Sequence, residues 1–396
     1  MRILYSFPHS VGKPGIGTTA LNQVESVARQ GIEVVLYCTT LDQPLQGDVA
    51  VVETMRFGRR RLPHRVVGVD RAYRFHDRRV ATALRGLRGK IDLVHGWPRG
   101  SLATFRAARA VGIPSLREVP NTHTGFAYEA VAREYARLGL EPEHGHSHTF
   151  DAAILEREEA EYNASDVLLV PSEFARRTFV DRGIPADKLA LHQYGFDGSQ
   201  FPPRAETGTA THGLKALFVG ACEPRKGLHH ALAAWVESGA AERGHFVICG
   251  GFAPGYREAI ARWLDHPSVE VRGFVEDPGA LMRESDIFLF PSIEEGSALV
   301  TYEAQASGCV LVVSDAAGAR VDHERQGLVH TAGDVATLTS HLRRFDQDRL
   351  LLEQFRRATL ARRSELTWDH GAVELARIYA ATAAAHASSG APAGSA

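Results

Sequence analysis

Between Asp286 and Val313 the chain reads as a strand, a glutamate-bearing turn, a helix and a second strand, an order that restricts the fold more than any other stretch. Asp286 to Phe290 is a short apolar run of strand formers stopped by Pro291. Ser292 to Ser297 is polar or glycine apart from Ile293, and Leu299 to Ala306 holds no helix breaker. The chain is therefore expected to turn at Glu294, Glu295 and Gly296 and to enter a helix near Ser297. Cys309 to Val313 supplies the next apolar run after Gly308. A strand, a crossover helix and a strand make a unit of parallel sheet, with its ligand end at the carboxyl edge of the first strand. The first amides of such a helix point at the turn and suit a phosphate. Glu295 lies in the turn and Glu303 about two helical turns further on, so the two carboxylates address different parts of one ligand.

The same alternation fills the rest of the chain in two cycles. Strands are expected at Arg2 to Phe7, Glu33 to Cys38, Leu93 to His95, Ser115 to Val119, Val167 to Val170 and Leu189 to His192. Helices are expected near Thr18 to Gln30, Leu102 to Val111, Thr149 to Ala164 and Ser172 to Arg182. The proline- and threonine-rich stretch 202–213 reads as a linker. A second cycle follows, with strands at 217–219, 245–249, 269–271, 287–290 and 310–313. The division is therefore a first domain at 1–201, a second at 214–367, a last helix at 368–382 and a disordered tail at 383–396. The fold class is α/β, two doubly wound parallel sheets.

With 396 residues, 44% of them hydrophobic, and a formal net charge of -2, the chain can bury two cores and carries no overall charge bias. It has no apolar run of about 18 residues, and its N-terminus opens directly into a strand, so the expected compartment is the cytoplasm. Cys38, Cys222, Cys249 and Cys309 lie in or beside strand-like runs without metal-ligand spacing, which points to buried thiols. Lysine is scarce, which draws attention to Lys226.

Lys226 belongs to Gly220-Ala-Cys-Glu-Pro-Arg225-Lys226-Gly227, again between a strand and a helix. A planar guanidinium and a compact ammonium there can share the oxygens of a diphosphate and offset charge on a departing one. Ser10 to Gly17 is a glycine loop after the first strand, where Gly15 and Gly17 let backbone approach a ligand. Its spacing does not match a dinucleotide fingerprint, which disfavours nicotinamide and flavin. His95, Asn121 and His123 follow strand-like runs of the first domain and are candidates for the acceptor side, with His123 preferred to His95. His144, His146 and His148 alternate in a loop without further ligands, and no metal is assigned to them. From Arg56 to Lys90 eleven arginines face only Asp70 and Asp77. This block suits an anionic membrane surface, a phosphorylated acceptor or simply a solvated helix face, and it lacks the aromatic pattern of a nucleic-acid module.

From Ser165 to Gly318 the chain resembles the retaining nucleotide-sugar glycosyltransferases of family 4, which have the GT-B fold. The residues that carry the resemblance are Pro171-Ser172, Gly195-x-Asp197, Gly250-Gly251, Gly273-Phe274, Pro291-Ser292, Glu295-Gly296 and Glu303-Ala304. The resemblance implies two Rossmann-like domains facing across a cleft and a nucleoside diphosphate sugar, UDP- or GDP-linked, as donor. It puts Glu295 at the donor sugar, Glu303 at the ribose, and Gly15, Gly17, Gly220, Arg225, Lys226, Gly250, Gly296, Ser297, Ala298 and Leu299 around the nucleotide. It puts His123 near the reacting sugar. It implies transfer to a hydroxyl of a small molecule, glycan or lipid-linked acceptor, with retention and without metal or cofactor. The family often has an arginine where this chain has Ala221, which opens the question of whether Arg225 takes its place. An epimerase working without acceptor and a silent binding protein of the same fold are the competing readings.

Overall fold

In a computed structural model that describes residues 1–58, 60–61, 67–205 and 213–388, β1 (Arg2–Val11) is buried over nearly its whole length. A parallel strand covered by helices on both faces has this character. Around it stand β2 (Glu33–Leu41), β3 (Ala50–Glu53), β6 (Leu93–Gly96), β7 (Ser115–Glu118), β8 (Val167–Val170) and β9 (Leu189–Leu191). Among the described residues they form one parallel sheet in the order β3-β2-β1-β6-β7-β8-β9. A short antiparallel hairpin, β4 (Arg56–Phe57) with β5 (Arg60–Arg61), stands beside it.

The second sheet holds β10 (Lys215–Val219), β11 (His245–Cys249), β12 (Val269–Gly273), β13 (Ile287–Phe290), β14 (Val310–Ser314) and β15 (Gly327–His330). Its order, β12-β11-β10-β13-β14-β15, is also all parallel and reverses beside β10. Ligands of such sheets bind where the strand order reverses, at the carboxyl ends. Each domain has its own core, around Phe218, Trp235, Ile248 and Phe288 in the second and around Tyr5, Leu36, Trp97 and Leu116 in the first. The architecture is the expected pair of Rossmann-like domains.

Several details differ from the sequence reading. β1 continues to Val11, so Ser10 is a strand residue and the glycine loop shortens to the turn before the helix Ile16–Arg29. The helices Val69–Leu84 and Thr124–Arg137 and the edge strand β15 were not foreseen. The last helix runs from Trp368 to Ser388, past residue 382, because its alanine-rich end keeps the highest helix propensity. This helix lies on the first domain, where Ala372, Leu375 and Tyr379 enter the core with Val24 and Val27. At its start Phe196 N donates to Leu366 O (3.0 Å), and Phe196 pairs with Thr367. Residues 206–212 of the linker, 389–396 of the tail, and Arg59 and Arg65 of the basic block lie outside the described residues. All four cysteines are buried and free. No helix among the described residues is long and apolar enough to cross a membrane.

Candidate active site

The 3-10 turn Pro224–Lys226 follows β10 and ends at Gly227 in the left-handed region, φ 68°. A side chain there is excluded twice, because a Cβ would also overlap Pro291 O. This tight turn sets Arg225 and Lys226 against the Glu294–Glu295 turn that follows β13. Arg225 Nη1 donates to Glu294 O (2.9 Å) and lies 3.1 Å from Glu294 Oε2 and 3.3 Å from Glu295 Oε1. Lys226 Nζ contacts the same Glu295 oxygen, and Arg225 Nε donates to Glu223 Oε1 (3.0 Å). Two basic side chains and three carboxylates thus meet at the carboxyl edge of the second sheet.

The first domain closes over this cluster. Thr122 Oγ1 donates to Glu294 Oε1 (2.6 Å), and His148 Nε2 lies 3.3 Å from Glu294 Oε2. His146 Nε2 lies 3.1 Å from Glu223 Oε2. Two of the three alternating histidines therefore reach across the cleft to carboxylates, while His144 stays exposed. Gly296 packs so tightly under the first domain that a Cβ would overlap Pro120 O. Burial would raise the Glu294 carboxyl, but His148 and Arg225 outweigh it and hold it well below the ordinary carboxylate range. Glu223, likewise buried, is lowered to about 2 by His146, Arg225 and Lys226. Burial and the neighbouring Arg225 push the Lys226 ammonium well below its ordinary value.

The helix Leu299–Ser307 has Ala298 as its N-cap and no side-chain cap, which leaves first-turn amides open to an anion. Ala298 N donates to Ala317 O (3.1 Å), and Ser297 Oγ bonds Tyr302 Oη (2.9 Å) and Gly318 O (3.0 Å). Glu303 sits one turn into the helix, partly buried, and burial alone raises it to about 7. Gly220 and Gly250 close β10 and β11, where Gly220 N donates to Cys249 O (3.0 Å) and Gly250 N to Gly273 O (2.8 Å). Gly15 caps the helix Ile16–Arg29 with φ 87°, and Gly17 is buried in its first turn.

The first-domain candidates separate. Asn121 is exposed and lines a cavity of about 250 Å³ with His9, Arg99, Tyr128, His148 and Glu158. His123 caps the helix Thr124–Arg137, its Nδ1 accepting from Gly125 N (3.1 Å). Its ring turns inward between Tyr162 and Phe179. Burial, then the nearby Arg182, lowers it to about 4, so the ring is neutral with its proton on Nε2. His95 does not reach the cleft. β6 carries it through the core, where Nδ1 bonds Tyr379 Oη (2.6 Å) and Nε2 lies 3.1 Å from Glu118 Oε2. The last helix covers this strand, which the local sequence around His95 does not reveal. In the basic block Asp77 is no solvated charge, because it accepts from Ala103 N (2.9 Å) and Thr104 N (2.8 Å). Sequence reasoning also missed Glu294 as the hub, its one local signal being a second glutamate beside Glu295.

Two facing parallel-sheet domains, with a cation pair and a glutamate turn at the carboxyl edge of the second, have the architecture of GT-B glycosyltransferases. Residues 14–199 match the model for Glycosyltransferase Family 4, and residues 213–348 match that for Glycosyl transferases group 1. The chain belongs to glycosyltransferase family 4. It is 27% identical to the D-inositol 3-phosphate glycosyltransferase of Corynebacterium aurimucosum, over 94% of this chain and 92% of the relative. The enzyme of the same name from Jonesia denitrificans is 26% identical over 93% and 91%. In fold it is similar to sucrose-phosphate synthase from Thermosynechococcus elongatus, with TM-score 0.66 and 18% identity over 97% of this chain and 99% of that one. Anabaena HepE in complex with UDP-glucose gives TM-score 0.61 and 15% identity over 96% and 100%.

Proposed function

We propose that this chain moves a sugar from a UDP-sugar to a hydroxyl of a compact, polyhydroxylated acceptor, with retention and without a metal at the diphosphate. The observation that carries the reading is the Arg225, Lys226, Glu294 and Glu295 cluster at the carboxyl edge of the second sheet, under Thr122 and Asn121. The donor diphosphate takes Arg225, Lys226 and the open amides at the start of the Leu299 helix. Drawn to the phosphates, the cations leave Glu295, whose carboxylate is then free to accept from hydroxyls of the donor sugar. Glu303 accepts from the ribose hydroxyls.

The acceptor occupies the first-domain cavity beside Asn121, Tyr128 and Glu158, with its hydroxyl toward the anomeric carbon. The bond from that carbon to the phosphate oxygen breaks, and the bond to the acceptor oxygen forms on the same face. The acceptor proton passes to the departing phosphate oxygen, so no protein nucleophile is needed. Arg225 and Lys226 carry the charge that builds on the leaving diphosphate. Support for a UDP-sugar comes from the HepE complex named above. Support for a compact acceptor comes from the cavity size and from relatives whose names give D-inositol 3-phosphate as acceptor.

Thermal shift against a panel of nucleotide sugars fixes the donor, and nucleoside diphosphate release with inositol phosphates, hexoses and lipid-linked glycans fixes the acceptor class. A UDP-sugar and a compact polyol are the expected pair. Epimerised donor formed without acceptor, or turnover of chelated protein raised by Mg²⁺, would overturn the corresponding part.

A further inference from the structure

The helix Thr124–Arg137 of the first domain docks against the turn Pro224–Lys226 and the helix Leu228–Glu237 that follows it. Near the end of the first helix stands Glu134, 4% exposed; at the start of the second stand His229 and His230, 4% and 5% exposed. His229 Nε2 lies 2.7 Å from Glu134 Oε1, and His230 Nε2 lies 2.8 Å from the same oxygen. Among the described residues this is the one group of three or more such side chains whose ligand atoms all lie within 4.8 Å of one another. It shares no residue with the cluster around Glu294.

We propose that Glu134, His229 and His230 form a binding site for a divalent transition-metal ion, held between the two domains. Two imidazoles and one carboxylate are a donor set that suits borderline cations rather than Mg²⁺ or Ca²⁺. An ion about 2.1 Å from each atom sees the two nitrogen-to-oxygen edges of 2.7 and 2.8 Å under angles close to a right angle. That is near the corner of an octahedron, the facial arrangement two imidazoles and one carboxylate take around ions such as Fe²⁺.

The protons can be accommodated. Without an ion, both Nε2–H groups donate to Glu134. With one, each ring turns its Nε2 lone pair to the ion and carries its proton on Nδ1. For His229 the acceptor is in place, since Tyr256 Oη lies 2.8 Å from Nδ1. Such an outer partner orients a metal-bound imidazole. Arg137 Nε, 3.7 Å from Glu134 Oε2, is the facing cation, and its side chain is 62% exposed and free to withdraw. Because Glu134 comes from one domain and the imidazoles from the other, an ion there ties the two across the cleft.

The test uses the untagged full-length chain in metal-free buffer, titrated calorimetrically with Ni²⁺ and Mn²⁺. One ion per chain is expected, with affinity lowered at least about tenfold in Glu134→Gln and in His230→Gln. His144→Gln, at the exposed loop histidine, should bind as the wild type does. Co²⁺ should give the weak bands of an octahedral complex. No binding by the wild type, or wild-type affinity in both ligand variants, overturns the site, and intense tetrahedral Co²⁺ bands overturn its geometry. Should Glu134→Gln fail to fold, His230→Gln alone decides. None of these measurements reads sugar transfer, so their failure and a failure of the proposed activity are distinguishable.

Discussion

Glu294 and Glu303 lie on one strand-turn-helix segment, both largely withdrawn from water, and their surroundings shift their carboxyls in opposite directions. Glu294 has Arg225, His148 and Thr122 around its carboxylate and is held ionised far below the usual range. Glu303 has no hydrogen-bond or ionic partner among the described residues, and burial alone lifts it to about 7. Burial sets the cost of a charge, and partners decide whether it is kept. One glutamate belongs to a finished network, whereas the other is shaped by burial alone.

The contrast breaks first at Lys226. Lys226→Ala removes the side chain that, on the proposed reading, offsets leaving-group charge, and should lower kcat/KM about a thousandfold, read as nucleoside diphosphate release. A loss within threefold would remove the cation pair from the donor site. Next is Glu294→Ala, which leaves Thr122 Oγ1 and His148 without their carboxylate in a desolvated cross-cleft network and should cost about 3 kcal/mol of stability by denaturant titration. A change below about 0.5 kcal/mol would make the network no more than surface charge.

Glu303 sharpens the comparison through pH. Its folded value of about 7 exceeds an unfolded value near 4.3, so the folded state binds the extra proton. The stability it contributes is full below the unfolded value and is lost as pH rises through 7. On the proposed reading donor binding runs the other way, because ribose hydroxyls donate to the carboxylate. Affinity for UDP should fall about tenfold between pH 8 and pH 6, and Glu303→Gln should flatten that slope. An unchanged slope in the variant would assign the pH dependence elsewhere. The smallest effect is expected at Asn121, where alanine should raise the acceptor KM about threefold, the scale of one exposed hydrogen bond, and leave the donor KM alone. An equal rise in both would place Asn121 at the donor instead.

What the sequence made legible was local. Short apolar runs bounded by Gly and Pro marked most strands, and the turn and helix carrying Glu295 and Glu303 marked the ligand end of the second sheet. The missed features depend on partners far along the chain. Glu294 becomes a hub only when Thr122 and His148 arrive from the other domain. His95 resembles a cleft residue until the last helix brings Tyr379 onto it, 284 positions away. Glu134 reads as one charge of an unrecognised helix, and His229 and His230 as neighbours that an isolated helix would point in different directions. β15 escaped notice because four residues at a sheet edge, with a glycine at the start and a histidine at the end, carry little strand signal.

The pairing of Phe196 with Leu366 and Thr367 has a mechanical meaning. The chain leaves the first domain just after Phe196 and comes back just after Leu366, so its two passages between the domains run side by side like the pins of a door. Paired pins suppress sliding and twisting and leave rotation about the line through them as the soft motion. The free edge of that door carries Thr122, His146, His148 and Glu134, and opening it exchanges every contact those four make with the second domain for water.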